Sequence, residues 1–164
     1  MDCKVNPDVP PIAQPTDNTC WAAAATMMIS WRDNTVYDIP VALQRAGQSY
    51  VDAFTENNPL DSISKPLFLA ALRLSFEFGA TYTPAGLCDL IRNNGPIWVT
   101  TKEGAEDSFS VHARILVEVF GDGGPDTTMT RFIDPDGGSS SVETVSQFTK
   151  KFENAEGTIQ IVHF

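Results

Sequence analysis

The chain has 164 residues, 42% of them hydrophobic, which is the size and apolar content of a single domain able to bury a real core. Its formal charge of −10 and pI near 4.4 repel phosphate backbones and anionic membrane surfaces, so nucleic acid and lipid are poor partners. The acid excess is compatible with a basic partner or substrate region, and more simply it keeps a small domain soluble.

Residues 1 to 13 carry Pro7, Pro10 and Pro11 and read as an extended arm lying against the fold. The turn-like stretch Gln14-Pro15-Thr16-Asp17-Asn18-Thr19 ends in capping residues, and an Ala-rich apolar run follows, which predicts a helix over about Thr19 to Trp31. Cys20 therefore falls in its first turn. There the helix dipole favours a thiolate, unpaired backbone amides are available to an oxyanion, and Gln14 could add a side-chain amide donor. Asp17 is a complication, because a carboxylate close to Cys20 opposes thiolate formation unless its charge is spent on capping.

Arg32-Asp33-Asn34 ends the helix, and residues 37 to 60 are mixed, with a short helix at Pro40 to Ala46 and a polar loop at Glu56-Asn57-Asn58-Pro59 where substrate-binding loops could lie. Ser64-Lys65-Pro66 opens another helix, whose Leu67 to Ser75 stripe suits core packing and which stops before Gly79. Thr83-Pro84 begins a further helix closed by Asn93-Asn94-Gly95, with Cys88 inside it, buried and inert. Pro96 to Thr101 reads as a strand, and the polar loop Lys102 to Asp107 is a candidate rim for a cleft.

Ser110 to Phe120 alternates with period two, Gly121-Asp122-Gly123-Gly124-Pro125 is a turn, and Thr127 to Ile133 is a second strand. Folding this hairpin about Gly123 places Asp134 opposite His112, where a carboxylate can hold an imidazole N–H and fix its tautomer. A slip of one residue would turn the Asp to the other face. Beyond it, Gly137 to Ser141 is flexible by composition, Val145 to Phe152 is a short helix and Thr158 to Phe164 a final strand. His163, the second of two histidines, lies on that last strand without an orienting acid among its neighbours and reads as a solvated edge residue. The layout is α+β, helices first and an antiparallel sheet second, with the site between the layers.

Each candidate has an ordinary structural use. Cys20 could be a small buried apolar residue, His112 a strand residue, Asp134 part of a strand-ending turn, and Gln14 a bond to its own loop. Their joint placement is what points to a nucleophile, its base, the base's orienter and an oxyanion donor. Neither a Cys-x-x-Cys pair nor paired histidines provide a metal site, and Gly121 to Gly124 is a turn rather than a phosphate loop, so no cofactor is implied.

The segment Gln14-Pro-Thr-Asp-Asn-Thr-Cys20-Trp21-Ala22 resembles the active-site segment of papain-like cysteine peptidases, with Gln six residues before Cys and Trp just after it. Asn94-Gly95-Pro96-Ile97-Trp98-Val99, Val111-His112-Ala113 and Ile133-Asp134-Pro135-Asp136-Gly137-Gly138 extend the likeness over residues 14 to 138. The likeness is to the compact bacterial branch of secreted effector proteases and bacteriocin-leader peptidases. It implies a papain-like fold with Cys20 as nucleophile, His112 as general base and acid, Asp134 as orienter, and Gln14 plus the Cys20 amide as oxyanion hole. Larger eukaryotic relatives orient the His with Asn and place small residues before the Cys, where this chain has Asp134 and Asn18-Thr19. Leader peptidases follow the Cys with Gly, where this chain has Trp21, so an effector-like protease is the better match.

The resemblance implies a protein substrate and, for a toxin-type protease delivered into another cell, a neutralising immunity protein in the producer. An amidase, deamidase or acyltransferase would use the same thiol chemistry. An inactive papain-like binding domain, presenting aromatics such as Trp31, Tyr37 or Tyr50, is the alternative outside enzymology. Of the three cysteines a catalytic thiol stays free, so at most Cys3 and Cys88 pair, and the reduced state is the default. The first residues lack an apolar signal region, which predicts action in a cytosol or delivery without a cleavable signal peptide; if the chain is an excised domain, its targeting signals lie elsewhere.

Overall fold

A computed structural model describes residues 1–77, 80–102, 111–153 and 159–164, with Glu153 described by its backbone alone. In chain order the elements are β1 (Asp2–Lys4), α1 (Cys20–Arg32), α2 (Ile39–Gln44), α3 (Gln48–Thr55), α4 (Lys65–Ala71), β2 (Ser75–Glu77), α5 (Pro84–Asn94), β3 (Ile97–Lys102), β4 (Val111–Phe120), β5 (Met129–Asp134), β6 (Ser139–Thr144), α6 (Val145–Glu153) and β7 (Ile161–His163). All strands join one antiparallel sheet in the order β2-β7-β3-β4-β5-β6, with β1 added to β4. The α+β class expected from the sequence is the one observed.

The helix α1 is apolar on every side, and Trp21 through Ser30 are all buried, as a helix must be when it has no polar face to give to water. It packs on β3 and β4, while α5 covers β1 and β4 and α6 lies against β3, β5 and β6. This central position fixes the start of α1 close to the N-terminal end of β4. The long strand β4 is flanked by β3 along residues 111–116 and by β1 along residues 118–120, with β5 on its other side.

Four elements depart from the sequence reading. The N-terminal arm is not merely extended: Asp2–Lys4 pairs with Phe120, Val119 and Glu118 as a strand. The α4 helix ends at Ala71, Arg73 takes a positive φ of 59°, and the chain enters β2 rather than continuing helical to Ser75. Gln48–Thr55 forms a helix with no fully buried residue, held by its own backbone and by partial packing of Tyr50, Val51 and Phe54. Ser139–Thr144 pairs along the whole of β5 as the sheet's outer strand, although its composition suggested a flexible segment.

The arm is also tied covalently. Cys3 and Cys88 form a disulfide with Cα atoms 5.5 Å apart, joining β1 to α5, so the reduced default and the inert Cys88 give way to a bridge. Cys20 remains a free thiol.

Candidate functional site

Cys20 is the first residue of α1, and the preceding turn is organised by its own polar side chains. Thr19 is buried and its hydroxyl bonds Thr16, so no side-chain oxygen caps the helix, contrary to the expectation from Asp17, Asn18 and Thr19. Among the described residues the Cys20 N–H has no hydrogen-bond acceptor, which leaves it as a donor at a helix start. Asn18 donates two bonds to Asn57, from its N–H to the side-chain oxygen at 3.0 Å and from its amide to the carbonyl at 3.2 Å, and the Trp21 indole donates to the Asn58 carbonyl at 3.1 Å. The polar loop after α3 is thereby fastened to the Cys20 turn.

His112 lies near the start of β4, and its Nε2 is 2.6 Å from Oδ1 of Asp134. That pairing leaves Nδ1 for Cys20, on whose sulfur the imidazole acts through hydrogen bonding and charge. The same Asp134 oxygen accepts the Asp136 N–H at 2.8 Å, which holds the carboxylate at the end of β5. The register by which they meet differs from the simple fold about Gly123. Glu118 pairs with Arg131 but Leu116 with Phe132, so β4 carries one extra residue, a bulge at Val117.

Beyond the bulge Ile115 pairs with Ile133, and the next step along makes Asp134 the neighbour of Arg114, two residues from His112 and on its face. The contact is diagonal across the strands, not directly opposite. Without the extra residue Asp134 would lie beside Ile115 and point to the other side of the sheet.

The electrostatics follow from this geometry. Burial pushes the Cys20 thiol up, but the hydrogen bond from His112, the Ala113 and Trp21 amides and the imidazolium charge outweigh it, so its pKa falls below the ordinary thiol range. Burial likewise disfavours the His112 cation, yet bonds to Asp134 and Cys20 raise its pKa to about 10. Asp134 is held below the usual carboxylate range against its own burial by His112, the Asp136 amide and Arg114. The set favours a thiolate beside an imidazolium. Asp17 is exposed and has no part in these interactions.

Gln14 lies in the turn before α1, does not line the cleft, and has its side-chain amide occupied. Nε2 donates to the Thr16 carbonyl at 2.8 Å and the Asp17 carbonyl at 3.2 Å, which is the loop-bonding use, while its N–H donates to the Pro135 carbonyl at 2.8 Å. The last bond joins the Cys20 turn to the Asp134 turn. Among the described residues Oε1 of Gln14, a buried atom, has no hydrogen-bond partner.

A cleft of about 510 Å³ opens beside Cys20 and His112, walled by Trp21, Pro59, Leu60 and Trp98. It contains a charged group that the sequence did not single out, Lys65 at the start of α4. The expected rim at Lys102 to Asp107 falls, apart from Lys102, outside the described residues. His163 is on β7, between β2 and β3, not at an edge, and its Nε2 does have an acid beside it, Glu77 at 3.2 Å. That pair lies on the β2 side of the sheet and does not line the cleft. Trp31, Tyr37 and Tyr50, the aromatics considered for a binding surface, pack against the core.

A helix-borne cysteine beside a histidine and an acid on an antiparallel sheet is an arrangement suited to thiol hydrolysis of the papain-like kind. The chain belongs to the family described as papain-like cysteine protease AvrRpt2, whose profile matches residues 4–153. That places it in the papain-like cysteine peptidase superfamily. Among solved structures, UfSP from C. elegans is similar in fold, with a TM-score of 0.54 and 15% identity over 99% of this chain. The chain spans 33% of that protein's length. A comparison with curated proteins finds no match.

Proposed function

We propose that the chain hydrolyses peptide bonds of a protein substrate through Cys20, His112 and Asp134, as a bacterial effector or toxin domain delivered into a target cell. The observation that carries the reading is the continuous chain of contacts from a helix-start thiol with a lowered pKa, through a cationic imidazole, to a fixed carboxylate.

In this mechanism the Cys20 thiolate attacks the scissile carbonyl carbon, and the oxyanion receives the Cys20 N–H. Gln14 supplies a second donor by releasing the longer of its loop bonds, that to Asp17. His112 gives its proton to the leaving amine through Nδ1, leaving a thioester on Cys20. It then takes a proton from water, whose hydroxide attacks the thioester and restores the thiolate and imidazolium. Asp134 keeps the ring oriented and stabilises its charge throughout. No metal or cofactor enters these steps.

Delivery into a foreign cytosol would be matched by a neutralising immunity protein in the producer. The test is incubation of the protein and its Cys20→Ala variant with a target-cell lysate, followed by identification of new peptide N-termini. New termini dependent on Cys20 support proteolysis. Intact proteins with hydrolysed glutamine or cell-wall amides would replace it by amidase chemistry, which shares the same thiol.

A further inference from the structure

Lys65 is the first residue of α4, and its half-buried side chain carries the ammonium onto the protein rather than leaving it fully in solvent. Nζ donates to the Ile159 carbonyl at 3.0 Å and the Thr100 hydroxyl at 3.3 Å and lies 5.1 Å from the centre of the Trp98 ring. All three are neutral. An ammonium has three N–H donors, so one remains, and no carboxylate faces Lys65 among the described residues.

Burial of such a cation without an anion is costly, and here it lowers the Lys65 pKa to about 8, opposed only by the charge of Cys20. In a chain of net charge −10, with 21 acidic residues available, an acid partner would be easy to supply. Among the described residues that line the cleft Asp17 is the one carboxylate, and it is not among the charges acting on Lys65 or Cys20. Among the described residues the cleft therefore sets two cations, Lys65 and His112, around the Cys20 thiolate, with Asp17 exposed to solvent.

We propose that Lys65 is a specificity-determining residue that binds a carboxylate of the peptide substrate close to the scissile bond. The inference rests on the hydrolase reading of the same cleft. Substrate acylation makes it sharper: once Cys20 carries the thioester its negative charge is gone, and Lys65 would have no counter-charge unless the substrate brings one. A charge-assisted hydrogen bond from the third N–H supplies it. The carboxylate comes either from an acidic side chain or from the free C-terminus of a peptide.

The experiment is a positional library of fluorogenic peptides, each presenting Glu or its isostere Gln at one position and ending in a free acid or an amide. Wild type is expected to favour an acid over its amide by about tenfold or more in kcat/KM at one position, the scale of one charge-assisted bond. A Glu preference identifies a side-chain carboxylate, and a free-acid preference identifies a C-terminal one. Lys65→Met should bring the ratio close to one, Lys65→Arg should keep it, and Lys65→Glu should invert it in favour of the amide. A ratio near one throughout in wild type, or one unchanged in Lys65→Met, overturns the proposal.

Binding of the same peptides to Cys20→Ala, read by the NMR shift of the Lys65 ammonium, needs no change at Lys65. Acid-selective binding without any cleavage would sink the peptidase reading and leave this inference standing. Cleavage without acid selectivity would do the reverse, and neither binding nor cleavage would overturn both.

Discussion

Nε2 of His112 and Oδ1 of Asp134 lie 2.6 Å apart although the two residues are not cross-strand partners, and the one-residue bulge at Val117 is what puts them on the same face. Because Asp134 accepts from His112 and from the Asp136 amide, its carboxylate fixes the ring with Nδ1 toward Cys20. Replacing Asp134 with Asn allows the ring to be held in the wrong tautomer. Asp134→Asn should lower kcat/KM by about 10²–10⁴, and Cys20 alkylation by iodoacetamide at neutral pH should slow in parallel.

The pH dependence of that alkylation has a defined direction. The Cys20 pKa is depressed and that of His112 raised to about 10, so the thiolate–imidazolium pair exists between the two values. Labelling should be rapid below the ordinary thiol range. Peptidase activity should rise through the depressed Cys20 pKa and fall as His112 loses its proton toward pH 10. In His112→Ala burial is left without its main opposition, and the labelling profile should move to or above the ordinary thiol range. Slow labelling in folded wild type, indifferent to His112, would remove the basis for the mechanism.

Much of this site was legible in the sequence because its parts sit on strongly patterned elements. An unbroken apolar run announces α1, and ten residues of alternation announce β4, so Cys20 and His112 could be placed on their elements from local signals. The bulge could not, since nothing local distinguishes Val117 from its neighbours. Strands β1 and β2 are three residues long and exist only through pairing with β4 and β7. The Glu77 contact with His163 was lost with β2. The outer strand β6 is serine-rich and held by its backbone ladder rather than by a buried face. Lys65 depends on Thr100 and Ile159, which lie 35 and 94 residues away, so its inward fold has no sequence signature.

The Cys3–Cys88 bridge closes a span of 85 residues and pins β1 to α5, remote in sequence from the Cys20 turn. A cross-link of that span restricts the unfolded chain strongly, and its removal is expected to cost about 2–4 kcal/mol. Cys3→Ser/Cys88→Ser should therefore unfold at lower urea than the oxidised wild type, while reduced wild type should resemble the variant. Equal midpoints for all three would show that the bridge does not stabilise the fold.

Arg114 is 3% exposed, stacks over the Phe132 ring at 4.2 Å and pairs with Glu143 at 2.8 Å, and Glu143 also meets Lys151 at 2.7 Å. Removing the acid takes one carboxylate from a buried guanidinium that also reaches Thr101 and acts on Asp134. Glu143→Ala should cost about 3–5 kcal/mol in chemical denaturation, far more than Glu118→Ala, whose partner Arg131 is only half-buried. Since Arg114 adjoins Asp134 on the sheet, the loss should be accompanied by slower Cys20 alkylation under native conditions. A cost below about 1 kcal/mol would mean that Arg114 finds other compensation.

Gln14 separates two contributions that the triad residues confound. Alkylation of Cys20 needs a thiolate but develops no oxyanion, whereas peptide hydrolysis needs both. The Gln14 side chain lies outside the thiolate–imidazolium pair, and its amide now serves the carbonyls of Thr16 and Asp17. If it turns to the oxyanion during reaction, Gln14→Ala should lower kcat by about 10²–10³ while the alkylation rate and its pH profile stay near wild type. If it only organises the loop, both rates should fall together, because the Cys20 turn and the Asp134 turn are joined through this residue's N–H to Pro135 and would loosen as a unit. Comparing the two rates in one variant therefore assigns the residue without any knowledge of the natural substrate.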